Sequence, residues 1–243
     1  GYEKQLRKGL VGALRVPGDR VVYPANCTRY FLKNIDVRSN TSVKALEDNA
    51  VILADGERLE AEFIINAAGV NAKDLLPDLP IEPRKGHLII TDRYPGYVQH
   101  QIVELGYLKS AHGNNPESVA FNVQPRPNGQ LLIGSSREFV GLEDSLNRRI
   151  MAKMLDRACY YMPGLEKLKG IRAWTGFRPC SMDGYPFIGP YPSIKGLFLA
   201  CGHEGLGITT SLGTAKILTA MILGEKPPMD PYPFRVERIY EGK

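Results

Sequence analysis

Several absences bound what this chain of 243 residues can do. There is no run of five or more basic residues, although Lys and Arg outnumber Asp and Glu 31 to 26 and the formal net charge is +5. A scattered excess of that size reads as a solvated surface, or as a basic face matched to a partner. It gives no stripe for a nucleic acid, and no nucleic-acid partner is expected. There is no C-x-x-C pair. Cys27, Cys159, Cys180 and Cys201 lie far apart, which argues against a zinc site and a redox dithiol. Four thiols permit two disulfides, but Cys201 ends an apolar run and Cys159 falls in an expected helix, where buried free thiols are common. A cytoplasmic location is therefore expected. The opening GYEKQLRKGL has no apolar core, so no signal peptide is expected. Only Gly207–Gly224 could mimic a membrane span. It is marginal in length and carries Lys216 and several hydroxyls, so a buried core helix is expected; membrane contact is left open.

The remaining composition, 43% hydrophobic, is that of a globular protein with one large core or two small ones. Residues 13–24 read as two short strands around Pro17-Gly18-Asp19, and Asn26–Lys33 as a helix. Strands follow at Val37–Leu46 and Ala50–Leu53. Arg58–Asn66 reads as one strand whose Phe63-Ile64-Ile65 is a buried run. Asn71–Leu76 resembles a short helix, and Gly86–Thr91 a strand. Ser118–Gln124 and Gln130–Ser136 alternate around Pro127-Asn128-Gly129, a strong hairpin signal. Leu146–Tyr161 reads as an amphipathic helix with Leu146, Ile150, Met154, Leu155 and Ala158 on one face. Gly170–Arg178 has strand character, Gly184–Gly189 reads as a rigid turn, and a strand at 197–201 leads into a helix at 207–223. The fold class is thus α/β plus α+β, with strands that exit into helices interleaved with antiparallel hairpins.

Three stretches carry chemistry. In Ile64–Val70 (IINAAGV), a buried strand ends in Ala67, Ala68 and Gly69, small enough for a ligand to approach the backbone; a tight turn without a ligand fits equally. In Arg172–Gly189, Arg178 stands in a run otherwise apolar or turn-forming, and a guanidinium there needs an anion. That anion is either a substrate carboxylate gripped at two points or an internal partner, Asp183 or Glu204. In CGHEGLGITTS, the strand, glycine turn and helix point the backbone N–H groups of Gly207, Ile208 and Thr209 out of a helix start, where the dipole adds about half a positive charge. His203 and Glu204 are adjacent and lack metal-ligand spacing. His203 reads as a turn residue whose backbone matters, and Glu204 faces either a pocket or solvent.

In this order, INAAGVNAKDL, PRKGHLIITD, VQPRPNGQLLIGSSREFVG, WTGFRPCSMDGYPFIGP and ACGHEGLGITTSLGTAKILTAMI resemble the glycine/D-amino-acid oxidase superfamily of FAD-dependent oxidoreductases. Within it, the wording is most similar to the FAD subunits of D-hydroxyproline dehydrogenase, opine oxidase and sarcosine-oxidase-like enzymes. The resemblance implies an FAD cofactor, an amino-acid or amine substrate, and hydride transfer from the α-carbon to flavin N5, by a dehydrogenase rather than an oxidase. It implies that Val43 meets the adenine and that Ala67, Ala68 and Gly69 pass the dinucleotide. It places Gly202, His203, Glu204, Gly205, Leu206, Gly207, Ile208 and Thr209 around the pyrimidine edge of the flavin ring, with Arg178 on the substrate carboxylate. It divides the chain into substrate-domain strands (1–25), an FAD-binding part (26–79), a substrate-binding domain (80–172) and a second FAD-binding part (173–243). One departure matters: the family's G-x-G-x-x-G phosphate turn is not in this sequence, and GHEGLG has the wrong spacing. A fragment, or a half completed by a partner subunit, is therefore expected. The alternative is a flavin-free assembly subunit that keeps the fold.

Overall fold

The computed structural model describes residues 3–107 and 116–241. The chain divides into two compact units, one from Gly1–Tyr23 and Arg84–Phe177 and the other from Pro24–Pro83 and Arg178–Lys243.

The first unit is built on a five-stranded sheet. Its strands are β5 (Ile81–Arg93), β6 (Ile102–Val103), β7 (Glu117–Pro125), β8 (Gln130–Glu138) and β9 (Gly170–Ser181), in the order β6-β7-β8-β5-β9. β5 and β9 run across the boundary between the two units. β7 and β8 form the hairpin that the Pro-Asn-Gly turn signals, closed by Arg126 N–H donating to Gln130 O at 2.8 Å. Leu131 to Glu138 are buried without interruption, so β8 is covered on both faces. The helix Arg148–Tyr161 lays Met154 and Ala158 onto Ile89, Phe121, Val123, Leu131 and Ile133. Its start is fixed by Asn147, whose side chain accepts the N–H groups of Arg149 and Ile150. Leu146 and Leu155, expected on the buried face, are exposed at 43% and 37%. Leu146 precedes the cap, and Leu155 lies one position beyond the Ile150–Met154–Ala158 stripe.

The second unit holds two three-stranded sheets. One is an antiparallel meander of β1 (Val43–Glu47), β2 (Ala50–Leu53) and β3 (Arg58–Glu60). The other has the order β10-β11-β4, from β4 (Ile64–Asn66), β10 (Phe187–Pro190) and β11 (Leu197–Cys201). β10 runs antiparallel to β11, and β11 runs parallel to β4, pairing Leu197 with Ile64 and Leu199 with Asn66. The parallel pair forms although the first unit's whole sheet intervenes in the chain. Ile64, Leu76, Leu79, Phe187, Leu197 and Leu199 make the main core. The helix Gly207–Ile222 closes a smaller one with Ile188, Ile217 and Leu218.

Several expectations are corrected. Among the described residues up to Tyr23 there is no strand: Asp19 N–H bonds Val16 O in the turn, but Val11, Leu14 and Val16 are exposed, and a strand without a partner has no ladder to hold it. Residues 37–42 precede β1 without joining it. Arg58–Asn66 is two strands in two sheets. The Asn49 amide donates to Glu62 O at 2.8 Å, and Ile64 N–H turns to Gly196 O. Residues 187–189, expected within a turn, join Pro190 in β10. The helix Gly207–Ile222 is buried only from Thr214 onward, at Thr214, Ile217, Leu218 and Ala220, while Ile208 and Leu212 are exposed. By length and composition, Glu204–Ile222 is apolar enough to cross a membrane. All four cysteines are free thiols.

Candidate functional site

Because β4 and β11 are parallel, their carboxyl ends open on the same edge of the sheet. The two small-residue exits therefore lie side by side, Ala67–Gly69 after β4 and the Gly202 turn after β11. In open α/β sheets this carboxyl edge is where ligands bind. The first exit is held by Asn66, which is buried. Its Oδ1 accepts Ala68 N–H at 3.2 Å, and its amide reaches Ala72 O at 3.4 Å. Ala67 and Ala68 are exposed. Gly69 has φ of +60° and starts the turn Gly69–Asn71; a side chain there would meet nothing within 4 Å. Glycine is needed for the backbone, and the space beside it is open.

The second exit is tighter. Gly202 is buried at φ +79°, and a Cβ there would stand 3.2 Å from the Phe187 ring. His203 pairs by a backbone bridge with Cys180, which draws the last residues of β9 against this turn. Within the second unit, Arg178 lies beside Gly205, where an added Cβ would be 3.6 Å from Arg178 Cδ. Arg178 Nε is 3.9 Å from Glu204 Oε1, and the two side chains are 21% and 14% exposed. Glu204 itself has φ of +49°, and its other carboxylate oxygen accepts Gly205 N–H. Leu206 precedes the helix Gly207–Ile222 and provides no side-chain cap. The hydroxyls of Thr210 and Ser211 donate back to Leu206 O and Ile208 O. The opening N–H groups of Gly207, Ile208 and Thr209 thus receive no side-chain cap from Leu206, and Ile208 and Thr209 are exposed around them.

Of the two internal partners open to Arg178, Asp183 is engaged elsewhere. Arg238 donates to both of its oxygens, at 2.6 and 3.1 Å. Glu204 remains the carboxylate facing Arg178. His203 departs from the expectation of a turn residue with only its backbone in use. Its Nε2 meets Thr214 Oγ1 at 2.9 Å, one helical stretch further on, and burial pushes its pKa down. The ring latches the glycine turn to the helix it introduces. Neither the latch nor the role of Arg238 is visible in local sequence, since each joins residues with no shared pattern. Val43 begins β1 opposite Leu53, in the meander rather than in the β10-β11-β4 sheet. Among the described residues, no group of three or more His, Cys, Asp or Glu could hold a metal ion.

The family described as FAD dependent oxidoreductase matches residues 2–221. The chain belongs to this family. It is 27% identical to glycine oxidase of Pseudomonas putida over 94% of this chain and 61% of that protein. It is 31% identical to hydrogen cyanide synthase subunit HcnC of Pseudomonas aeruginosa, over 74% of this chain and 41% of that protein. To D-amino acid dehydrogenase of Xanthobacter autotrophicus it is 28% identical, over 98% and 57%. The crystal structure of glycine oxidase from Geobacillus kaustophilus superposes with a TM-score of 0.69 at 23% identity, over 82% of this chain and 52% of that one. The chain thus spans between about two fifths and three fifths of the length of these curated relatives. The fold is that of these flavoenzymes, mixed α/β with antiparallel sheets. The family's cofactor is FAD. The residues here leave space compatible with such a group: two small-residue exits on one carboxyl edge, open space at Gly69, and a helix start without a side-chain cap. A phosphate-binding G-x-G-x-x-G is not among the 243 residues.

Proposed function

We propose that the protein oxidises the C–N bond of an amino acid or secondary amine with FAD. The observation that carries this reading is the position of Arg178, drawn by the Cys180–His203 bridge against the glycine turn that would face the flavin ring. When bound, FAD would supply the redox chemistry, accepting a hydride from the α-carbon once the substrate's ammonium has lost a proton to water; the iminium left would be hydrolysed by water. Arg178 fixes the substrate carboxylate and so orients the C–H bond. Gly207, Ile208 and Thr209 present backbone donors and the positive end of a helix dipole to the ring edge that gains charge on reduction. Ala67, Ala68 and Gly69 pass the dinucleotide, and Val43 meets the adenine.

A partner subunit, or further sequence ahead of these residues, supplies the phosphate turn; HcnC, itself named as a subunit, supports the first arrangement. The division into FAD-binding and substrate-binding parts follows the two units. A dehydrogenase is favoured over an oxidase on the wording of GHEGLGITTS, although relatives carry both names. The four free thiols support a cytoplasmic location. The test is to purify the full-length protein with its native partners and mix it anaerobically with a panel of amino acids and N-methyl amino acids. Stoichiometric flavin bands that bleach with one of them are the expected result. A stable, colourless protein would favour the second reading, a flavin-free assembly subunit, for which the absent phosphate turn speaks.

A further inference from the structure

We propose that Glu204 is the specificity residue of this site: it receives the substrate's ammonium while Arg178 receives the carboxylate, so the ligand is an α-amino or α-imino acid bound as a zwitterion. The proposal rests on the amino-acid reading above and names the charge state that reading leaves open.

The first observation is the pairing. A guanidinium meant for a substrate carboxylate gains nothing from a permanent anion beside it, because a second carboxylate would be repelled at close range. Glu204 nonetheless faces Arg178, with Oε1 3.9 Å from Nε, a separation longer than a hydrogen bond between those two atoms. Both side chains are mostly buried, at 14% and 21% exposed, so their charges are only partly screened. For a ligand carrying only a carboxylate, this arrangement is a penalty. For a ligand whose ammonium and carboxylate share one carbon, it is complementary, each charge meeting its opposite.

The second observation is the backbone. Glu204 is held in the left-handed region at φ +49°, which is strained for a residue other than glycine. Its neighbours Gly202, Gly205 and Gly207 are all glycine. A glycine at 204 would adopt this conformation without strain, so the carboxylate is present at a cost. The same conformation lets one oxygen accept Gly205 N–H while the other looks toward Arg178. The carboxylate is thus held in place before a ligand arrives, which lowers the ordering cost on binding. The alternative partner for Arg178, Asp183, is already taken by Arg238.

The experiment uses two ligands of the same shape that lack an α-hydrogen and cannot be oxidised. α-Aminoisobutyrate is a zwitterion; pivalate has a methyl group in place of the ammonium. Dissociation constants are measured on the full-length flavin-loaded protein by perturbation of the flavin spectrum and by calorimetry. The expected result is that the wild type prefers α-aminoisobutyrate, and that Glu204→Gln cuts this preference about tenfold, with pivalate binding more tightly than before. Glu204→Gly, which suits the backbone at this position and keeps the turn, gives the same result. If both affinities move by the same factor in both variants, Glu204 is structural and the proposal is overturned. It is also overturned if the wild type shows no preference for the zwitterion. Failure of the broader reading looks different: no amino acid bleaches the flavin and neither probe binds the wild type, which removes the site altogether.

Discussion

The two units treat buried charge in opposite ways. In the first, Lys85 lies directly across from Glu138 in the β5–β8 ladder, with its ammonium among oxygens of Glu143, Ser145 and Glu138. Lys85 Nζ reaches Glu143 at 2.7 Å, Ser145 O at 3.1 Å and Glu138 at 3.8 Å. Asn147 Nδ2 donates to Glu138 at 2.7 Å, and His87 bridges Ser136 and the Asn147 backbone. Lys85 and His87 have 1% or less of their side chains exposed. In the second, Arg178 and Glu204 stand 3.9 Å apart beside the glycine turn after β11. The first cluster ties two strands to the capped start of a helix. The second pair stands further apart than a hydrogen bond. The difference suggests where to look for function in this chain: in a charge pair held apart beside a backbone turn.

The strongest challenge to that contrast is Lys85→Met. It leaves Glu138 in the core without its cation, and breaking a buried pair from one side costs about 3–5 kcal/mol. A denaturation curve of the full-length protein is expected to show that loss. A shift under about 1 kcal/mol would mean that the cluster is no more structural than the Arg178 pair. The counterpart is Arg178→Ala. Losing two-point contact with a carboxylate is expected to raise KM for the amino-acid substrate about a hundredfold, roughly 2.7 kcal/mol, while the unfolding midpoint stays within about 1 kcal/mol. An unchanged KM would remove Arg178 from the substrate. A smaller effect sharpens the account of the glycine turn. Thr214→Val removes the hydroxyl that holds His203 Nε2 and is expected to cost about 1 kcal/mol. If the latch positions the turn, kcat falls as well; a stability loss with kcat intact would make it a packing contact only.

How much of this was legible in sequence follows from the range of each interaction. The β7–β8 hairpin was readable because its turn chemistry is local, in Pro127-Asn128-Gly129. The two glycine exits and the lone Arg178 were readable because small residues and a stranded guanidinium stand out in apolar runs. The break between β3 and β4 was not: nothing within Arg58–Asn66 signals it, and it is set by Asn49 and Gly196, distant in the chain. Asp183 and Glu204 were equal partners for Arg178 on sequence. What separates them is Arg238, sixty positions downstream of Arg178, and no periodicity connects those residues. The exposed start of Gly207–Ile222 was hidden for a related reason, since apolar composition does not say what covers a helix.

The smallest expected effect is one of pH, and it sets the two histidines side by side. His87 Nε2 accepts the Asn147 N–H at 3.0 Å, so the neutral ring carries its proton on Nδ1, facing Ser136 Oγ at 2.9 Å. A second proton would set donor against donor. Burial is the main cause that lowers the His87 pKa; Lys85 lowers it further, while Glu138 and Glu143 oppose. His203 is lowered by burial alone. In both cases the unfolded chain, with its imidazole near 6.5, binds more protons than the fold in the interval just below that value. Stability therefore falls as pH drops from 6.5 toward each folded pKa, and is flat above. Glu117 and Glu143, held at about 2 by hydrogen bonds to Arg149 and Lys85, act in a separate window, losing their contribution only between 4.5 and about 2. Denaturation midpoints at pH 7 and pH 5.5 are expected to differ in the wild type. His87→Gln should remove part of that difference through the Lys85–Glu138 cluster, and His203→Gln a further part through the glycine turn. If His203→Gln alone removes it all, the enclosed histidine is not the sensitive one, and the contrast between the units fails where it is drawn most finely.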